Sequence, residues 1–192
     1  MQVINIAIKK INQGLKFLYR KGAFLDFTEK KMLCTALLQP RFDYACNVWY
    51  RTLKSVLKTK LQSAQNKMVR FVLGKHNRFH VGNKELQKLN WLNVEKRVDY
   101  FSLLHMFNIM NDSAPDYMSD FQRVKNVHHH FTRRSQTAFV IPDVGSEGAN
   151  TFKFNGIKLW NKLTPDIQAS KGKNVFKREV RKFLFHEMGA LE

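Results

Sequence analysis

The sequence feature that most constrains the fold is an amphipathic stretch at residues 52–74. Its apolar side chains recur every three or four positions, which is the period of one face of an α-helix. They are Leu53, Leu57, Leu61, Ala64, Met68 and Val72. Thr52 can cap the start of this helix, and Gly74 suits the left-handed residue just beyond its end. The stretch therefore predicts a long helix that buries one face against other helices.

Helical periodicity extends over most of the N-terminal half. Residues 3–21 carry one apolar stripe with lysine and arginine on the far side, and Gly22 ends the stretch. We expect Thr28 to cap a second helix and Pro40 to start a third, because the N–H that proline lacks has no helical partner in a first turn. Three residues after this proline are expected to fill the core, namely Tyr44, Val48 and Trp49.

The C-terminal half contains one strongly apolar helix and a less regular part. Asn93 is expected to cap a long helix that is apolar nearly all round, which is typical of the middle of a bundle. Residues 120–148 lack periodicity, apart from a short extended segment at 138–141. Of the last two helices, one inserts Trp160 into the core and the other begins at Asn174.

Together these patterns predict a mainly α protein, a helical bundle with an irregular, loop-rich segment before two C-terminal helices. A chain of 192 residues can bury roughly 70% of the surface of its unfolded form, so it can build a core without disulfides or metals. We expect a basic helical bundle over residues 1–112 and a looser helical region over residues 113–192.

The charge of the chain is strongly positive and uneven. Lys and Arg number 33 against 15 Asp and Glu, which gives a formal net charge of +18. Residues 1–82 hold 16 of these cations and only three acids (Asp26, Glu29 and Asp43), while residues 83–192 hold 17 cations and 12 acids. An excess of this size concerns binding partners more than the fold, and it favours nucleic acid or an anionic membrane surface.

The candidate nucleic-acid contacts are lysines and arginines on three helices and in the loop after residue 74. Phosphate contacts need flexible cations and carry little sequence preference. The candidates are Lys9, Lys10, Lys16, Arg20, Lys54, Lys58, Lys67, Arg70, Lys75, Arg78, Lys177, Arg178, Arg181 and Lys182. On the central helix, Lys54 and Lys58 flank one side of the apolar stripe, and Lys60 and Lys67 lie on the other, which argues against a single groove. The alternative is a set of scattered lysines that only solvates the surface.

Few residues have the spacing that catalysis or metal binding requires. A polymerase palm holds two metal ions with adjacent carboxylates, whereas Asp43 stands alone and is expected to complement a helix dipole. His76 and His80 have a metal-compatible spacing but lie in a predicted loop, and three adjacent histidines at 128–130 cannot all face one ion. We therefore expect no catalytic residue, no metal site and no cofactor.

The cysteines and the hydropathy indicate a compartment. Cys34 and Cys46 lie in apolar surroundings and are expected to be buried free thiols in a reducing environment. No apolar run approaches the roughly 20 residues of a membrane span, and the N-terminus is too polar for a signal peptide. We therefore expect an intracellular protein, in the nucleus or the cytoplasm. Attachment to anionic membrane through the basic end helices is a weaker alternative.

Several short motifs follow one another along the chain in a specific order. A helix leads into Pro40, Tyr44 and Trp49, and residues 61–74 then read LQSAQNKMVRFVLG. These are followed by LNWLNVEKRVDY, APDYMSDF, TRRSQ and KLWNKLTPDI. The residues that carry the later motifs are Trp91, Leu92, Arg97, Tyr100, Ala114, Pro115, Tyr117, Arg133, Ser135, Trp160, Asn161, Leu163 and Ile167.

As a set, these motifs resemble the thumb and post-palm region of LINE-type, jockey-like non-LTR retrotransposon reverse transcriptases. Asn93 and Thr164 depart from the pattern, since each stands where a proline is usual. The resemblance implies a helical region that grips the template–primer duplex behind the palm of an RNA-directed DNA polymerase. Because the palm carboxylates and the endonuclease are missing from the sequence, it implies a non-catalytic fragment that binds RNA or DNA through phosphates. The alternative is a protein-interaction module that docks on the missing palm or self-associates.

Overall fold

The chain is mainly α-helical, as the sequence predicts. The structure, a computed structural model, describes residues 2–22, 24–115, 118, 121–124, 137–145 and 148–189. Its helices are α1 (Gln2–Lys21), α2 (Phe27–Leu33), α3 (Pro40–Asp43), α4 (Cys46–Trp49), α5 (Ser55–Val72), α6 (Asn83–Lys88), α7 (Val94–Met110), α8 (Phe152–Lys162), α9 (Pro165–Gln168) and α10 (Lys173–Gly189). A π-helical segment at Cys34–Leu38 continues α2, and a 3-10 turn at Gly148–Asn150 precedes α8.

Two compact units form, and their segments alternate along the sequence. The first comprises Met1–Cys46, Leu53–Arg97 and Met188–Glu192, and the second comprises Asn47–Thr52 and Val98–Glu187. The division near the middle of the chain thus falls inside α7, because this helix contributes its first turn to one unit and the rest to the other. It differs from the predicted boundary between residues 112 and 113.

The first unit is built on the packing of α1 against α5. The predicted stripe of α1 is buried at Ile4, Ile11, Leu15 and Leu18. The predicted stripe of α5 is buried at Leu61, Ala64, Met68 and Val72, whereas Leu53 and Leu57 stay partly exposed. Burial of one such large side chain contributes about 1.5–3 kcal/mol, so the two stripes together account for much of the packing of this unit.

Helix ends agree with the sequence at some positions and correct it at others. Gly74 has a φ of 62° and closes α5 with paired bonds to the last turn, as predicted for the left-handed residue. The prediction that Thr28 caps α2 is wrong, because Asp26 caps it in a reciprocal capping box with Glu29. Thr52 does not cap α5, since its hydroxyl donates to Trp49 O at 2.8 Å and the helix starts at residue 55.

In the segment after the π-helix, the predicted helix start is confirmed, but two residues that were predicted to be buried are exposed. Pro40 occupies the first turn of α3, as predicted. Tyr44 and Val48, expected in the core, are 78% and 72% exposed, because the left-handed turn at Ala45 (φ 48°) reorients the chain between α3 and α4. Asp43 forms an ion pair with Arg97, whose Nη2 lies 2.7 Å from Asp43 Oδ2, so this carboxylate has a specific partner besides any helix dipole.

The second unit is organised around Trp160, which is fully buried as predicted. Its indole Nε1 donates to Thr137 O at 2.7 Å, and its ring lies edge-on to Phe139. The neighbouring Asn161 accepts from Phe139 N at 3.1 Å and donates to Phe139 O at 2.8 Å. These bonds hold the predicted extended segment, which makes one isolated antiparallel bridge to Arg123.

Some predictions concern residues outside the described part of the chain. They are the motif residues Tyr117, Arg133 and Ser135 and the histidines at 128–130. Several of the motif residues that the structure does describe are buried in the core of their unit. Trp91 and Leu92 are buried, and Leu163 is buried beneath α8 and α9 within the second unit.

Candidate nucleic-acid interface

Three cations of α1 share one exposed face of that helix. At about 100° per residue, Lys9, Lys16 and Arg20 fall within roughly 40° of one another around the helix axis. All three are exposed, on the side opposite the buried Ile11 and Leu15. These three residues are called the α1 basic stripe below. Lys10 is also exposed, but it projects from a different side of the helix.

Helix α5 adds two of its predicted cations next to α1. Lys67 Nζ donates to Asn12 Oδ1 of α1 at 3.3 Å, so this lysine lies beside the neighbouring helix. Arg70 follows it by one turn and donates from Nε to Phe79 O at 2.7 Å. Lys54 precedes the helix, and Lys58 lies roughly 120° around the axis from Arg70. The structure thus brings Lys67 and Arg70 to α1 and leaves the other two on a different face.

The three carboxylates of residues 1–82 form hydrogen bonds and ion pairs with groups other than the cations of α1 and α5. Asp26 Oδ1 accepts from Glu29 N at 2.7 Å, and Glu29 Oε2 accepts from Asp26 N at 2.9 Å, which completes the α2 cap. The third, Asp43, pairs with Arg97, which lies outside residues 1–82. Within the residues that the structure describes, none of the three forms an ion pair with a cation of α1 or α5. These three acids therefore do not neutralise the α1 basic stripe.

A cavity of about 240 Å³ opens where α1, α2 and the end of α5 meet. It is lined by Tyr19, Gly22, Lys30, Arg70, Phe71, Gly74 and Lys75. Three of these side chains are cationic, and no carboxylate is among them. Of the predicted candidates, Arg70 and Lys75 meet here. The sequence missed Lys30 and Tyr19, which lie far from Arg70 along the chain and reach it only through helix packing.

Aromatic rings set the positions of the cations around this cavity. The ring of Phe71 is nearly buried, with the ring of Tyr19 edge-on to it at a centroid distance of 4.8 Å. Lys30 Nζ lies 5.9 Å from the Phe71 centroid, and Lys75 Nζ lies 5.4 Å from the centroid of Phe79. Burial raises the pKa of the Tyr19 hydroxyl, and the nearby Cys34 raises it further, so the hydroxyl keeps its proton at neutral pH. The cavity thus presents cations and a hydroxyl donor.

The loop after α5 carries the remaining candidate of the first unit. Arg78 is exposed, and its backbone N–H donates to His76 Nδ1 at 3.3 Å. His76 is therefore engaged in a local turn. Among the described residues, no group of three or more His, Cys, Asp or Glu side chains could hold a metal ion.

The basic residues of α10 are less uniform than predicted. Arg178 and Lys182 are exposed, whereas Lys177 and Arg181 are half-buried. Glu179, which is not among the predicted residues, accepts from Arg178 Nε at 2.9 Å and from Lys182 Nζ at 3.2 Å. Those two bonds hold the pKa of the Glu179 carboxyl below its usual value. This face is therefore partly neutralised and is a weaker phosphate site than the α1 basic stripe.

The cysteines are both free and buried, as predicted. Burial raises the pKa of the Cys34 thiol to about 12, so it is inert as a nucleophile at neutral pH.

No helix in the described ranges has the length and hydrophobicity to cross a bilayer. In comparisons with known proteins, no family model, no curated protein and no solved structure matches the chain.

Proposed function

We propose that this chain binds RNA or DNA through phosphate contacts with α1 and α5, without sequence preference. The observation that carries the proposal is the unpaired charge of this surface. The three acids of residues 1–82 are bonded elsewhere, while the α1 basic stripe, Lys67 and Arg70 lie on two helices packed against each other. Exposed cations without acidic neighbours are what a polyphosphate strand needs, and they bind it by releasing its counterions.

We further propose that the chain corresponds to the thumb and post-palm region of a LINE-type reverse transcriptase and is non-catalytic by itself. The support is the ordered set of sequence motifs, together with a mainly helical fold. In this proposal the nucleic acid is the template–primer duplex, and a polymerase palm is a natural partner. The duplex would be held by its backbone, because the contacts proposed on α1 and α5 are flexible lysines and arginines, which suit phosphates.

The salt dependence of binding tests the first proposal directly. The purified chain is titrated into fluorescein-labelled single-stranded and duplex oligonucleotides, and anisotropy gives the dissociation constant at several salt concentrations. We expect binding to weaken steeply between about 50 and 200 mM salt, and to be similar for unrelated sequences. Binding that does not change with salt, or no binding in dilute buffer, contradicts the proposal.

A protein-interaction module is the second candidate function, and the exposure around α2 favours it. This helix has no buried residue, and Met32 on it is 62% exposed. Phe24 before the helix is 99% exposed, and Leu37 in the following π-helical segment is 52% exposed. Apolar side chains at such exposure are typical of surfaces that another protein domain covers, here a polymerase palm or a second copy of the chain.

Light scattering after size-exclusion chromatography separates the two candidates. A module that self-associates through this apolar surface gives an oligomer that persists in high salt and dissociates when Phe24 and Met32 are changed to Ser. The nucleic-acid proposal expects these two substitutions to leave oligonucleotide affinity unchanged. Loss of oligonucleotide binding in the Phe24→Ser, Met32→Ser variant, with the helical content kept, would favour the apolar surface over the basic one.

A further inference from the structure

The cavity between α1, α2 and α5 has a charge that its structural role does not account for. We propose that it binds a terminal phosphate group of a nucleic-acid strand, with Lys30, Arg70 and Lys75 as the charged contacts. The inference rests on the proposed function, because it places one end of the bound strand at a defined point beside the α1 basic stripe. It also assigns a ligand to Lys30 and Tyr19, which the sequence did not predict.

The charge of the cavity matches a phosphate monoester. Two helices, α1 and α5, end beside it, and each C-terminus contributes about half a negative charge. The three lining cations exceed these helix ends by about two positive charges. A phosphate monoester carries about −1.5 to −2 at neutral pH, whereas a backbone phosphodiester carries −1. If the three cations served only to offset the negative ends of α1 and α5, an excess of about two positive charges would not be needed.

The carbonyl groups at the end of α5 are already satisfied by the backbone. Lys75 N donates to Arg70 O at 2.9 Å, and Gly74 N donates to Phe71 O at 3.3 Å. The side chains of Arg70 and Lys75 are therefore not required as caps for those carbonyls. Arg70 uses Nε for Phe79 O, which fixes the plane of its guanidinium. Its two remaining nitrogen atoms can then donate to a phosphate as a fork.

The dimensions of the cavity favour a small charged group over a base. A volume of about 240 Å³ is below the roughly 300–1,000 Å³ that encloses a drug-sized molecule. The wall at Gly22 is closely packed, because a Cβ there would lie 2.4 Å from Leu18 O and 3.2 Å from the ring of Phe71. The space suits a phosphate with part of its sugar, and the ring of Phe71 closes the inner side. The rest of the strand leaves through the open side.

The test compares oligonucleotides of one sequence that differ only at their ends. One carries a 5′-phosphate, one a 3′-phosphate, and one has hydroxyl groups at both ends, so the first two arms show which end enters. We expect one phosphorylated form to bind at least about tenfold tighter than the hydroxyl form, because the added monoester brings a charge of about −1.5 to −2 next to the three cations. Lys30→Gln with Lys75→Gln should reduce this ratio to about one. The matched control, Lys84→Gln with Lys88→Gln on exposed positions of α6, should keep it.

The outcomes separate this inference from the proposed function. Equal binding of all three oligonucleotides overturns the terminal-phosphate site and leaves the basic surface standing. A ratio that survives the Lys30→Gln, Lys75→Gln change overturns the assignment to this cavity. If the hydroxyl-ended strand does not bind at all, the proposed function fails. Two dithymidine nucleotides, one with a 5′-phosphate and one with a 3′-phosphate and both too short to follow α1, then test the cavity alone. At least one of them should raise the unfolding temperature of the wild type but not of the double variant, and no rise with either overturns the site.

Discussion

Neutralising the α1 basic stripe should change the salt dependence of binding by a predictable amount. Five cations are placed to contact a strand, namely Lys9, Lys16, Arg20, Lys67 and Arg70. For a single strand, the slope of log K against log salt is about −0.7 per phosphate contact, so five contacts give about −3.5. Between about 50 and 200 mM salt, the wild-type affinity should therefore fall about 100-fold.

The triple variant Lys9→Gln, Lys16→Gln, Arg20→Gln leaves two of these contacts. Its slope should be about −1.4, and its affinity should fall only about sevenfold over the same range of salt. Glutamine has nearly the same helix propensity as lysine and arginine, so the helical content should not change. The three side chains are exposed, and the one hydrogen bond that would be lost, from Arg20 Nε to Lys16 O at 3.4 Å, is exposed as well, so the stability should be nearly that of the wild type.

The assay is anisotropy with a labelled oligothymidine, read as a slope over several salt concentrations. Its control removes the same number of charges elsewhere, as Lys84→Gln, Lys88→Gln, Lys162→Gln, all at exposed positions outside α1 and α5. The control should keep the slope and lose little affinity, because net charge acts weakly at a distance beyond the Debye length. Equal slopes for the triple variant and the wild type would refute the reasoning, since the strand would then contact other residues.

Four further predictions concern the framework of the two units. Arg97→Lys should lower the free energy of unfolding by about 1–3 kcal/mol in urea titration, because lysine cannot make the two-point contact with the partly buried Asp43. Asn161→Ala should cost about 1–3 kcal/mol and raise hydrogen exchange at residue 139, whose backbone loses both bonds. Gly74→Ala should cost about 1 kcal/mol, since its φ of 62° is unfavourable for a residue with a Cβ. Cys34, with a thiol pKa of about 12, should react with a disulfide reagent only after unfolding, and labelling of the native chain would contradict its burial.

Periodicity predicted the helices well because it depends on the chain locally. The stripes of α1 and α5 follow from spacing alone. That these two helices pack against each other is seen only in the structure. The cap of α2 was also readable, since Asp26 and Glu29 have the three-residue spacing of a capping box. Thr28 was the wrong choice because it is itself inside the first turn, where its hydroxyl cannot reach the free N–H groups.

Burial after α3 could not be read from the sequence. Tyr44 and Val48 are apolar and follow a helix, so a continued helix would have turned them inward. The left-handed conformation at Ala45 redirects the chain, and that residue type rarely adopts it, so no sequence signal marks the turn. Exposure of these two side chains is thus decided by one backbone angle.

The cavity was equally hidden, for a different physical reason. Lys30 and Tyr19 are ordinary members of amphipathic helices, and only the packing of α1 and α2 on α5 brings them to Arg70. On α10, a neighbouring acid lowers the charge of a predicted site instead. Glu179 is plain in the sequence, but only the structure shows that it bonds to Arg178 and Lys182. Charge composition therefore predicts the sign of a surface better than the location of a site.

The residues that carry the family resemblance and the residues proposed to bind nucleic acid are different sets. Trp91 and Trp160 are buried, Asn161 bonds a backbone segment, and Arg97 pairs with Asp43. Side chains in such roles specify a fold, so the resemblance in these residues supports a similar fold. It does not bear on nucleic-acid binding, which has to be tested by substituting the cations. Substitutions should accordingly dissociate: changes at the framework residues lower stability and keep the salt slope, whereas changes in the α1 basic stripe lower the slope and keep stability. A framework variant that stays folded yet loses the slope would mean that the strand is held by the shape of the framework rather than by the charge of α1 and α5.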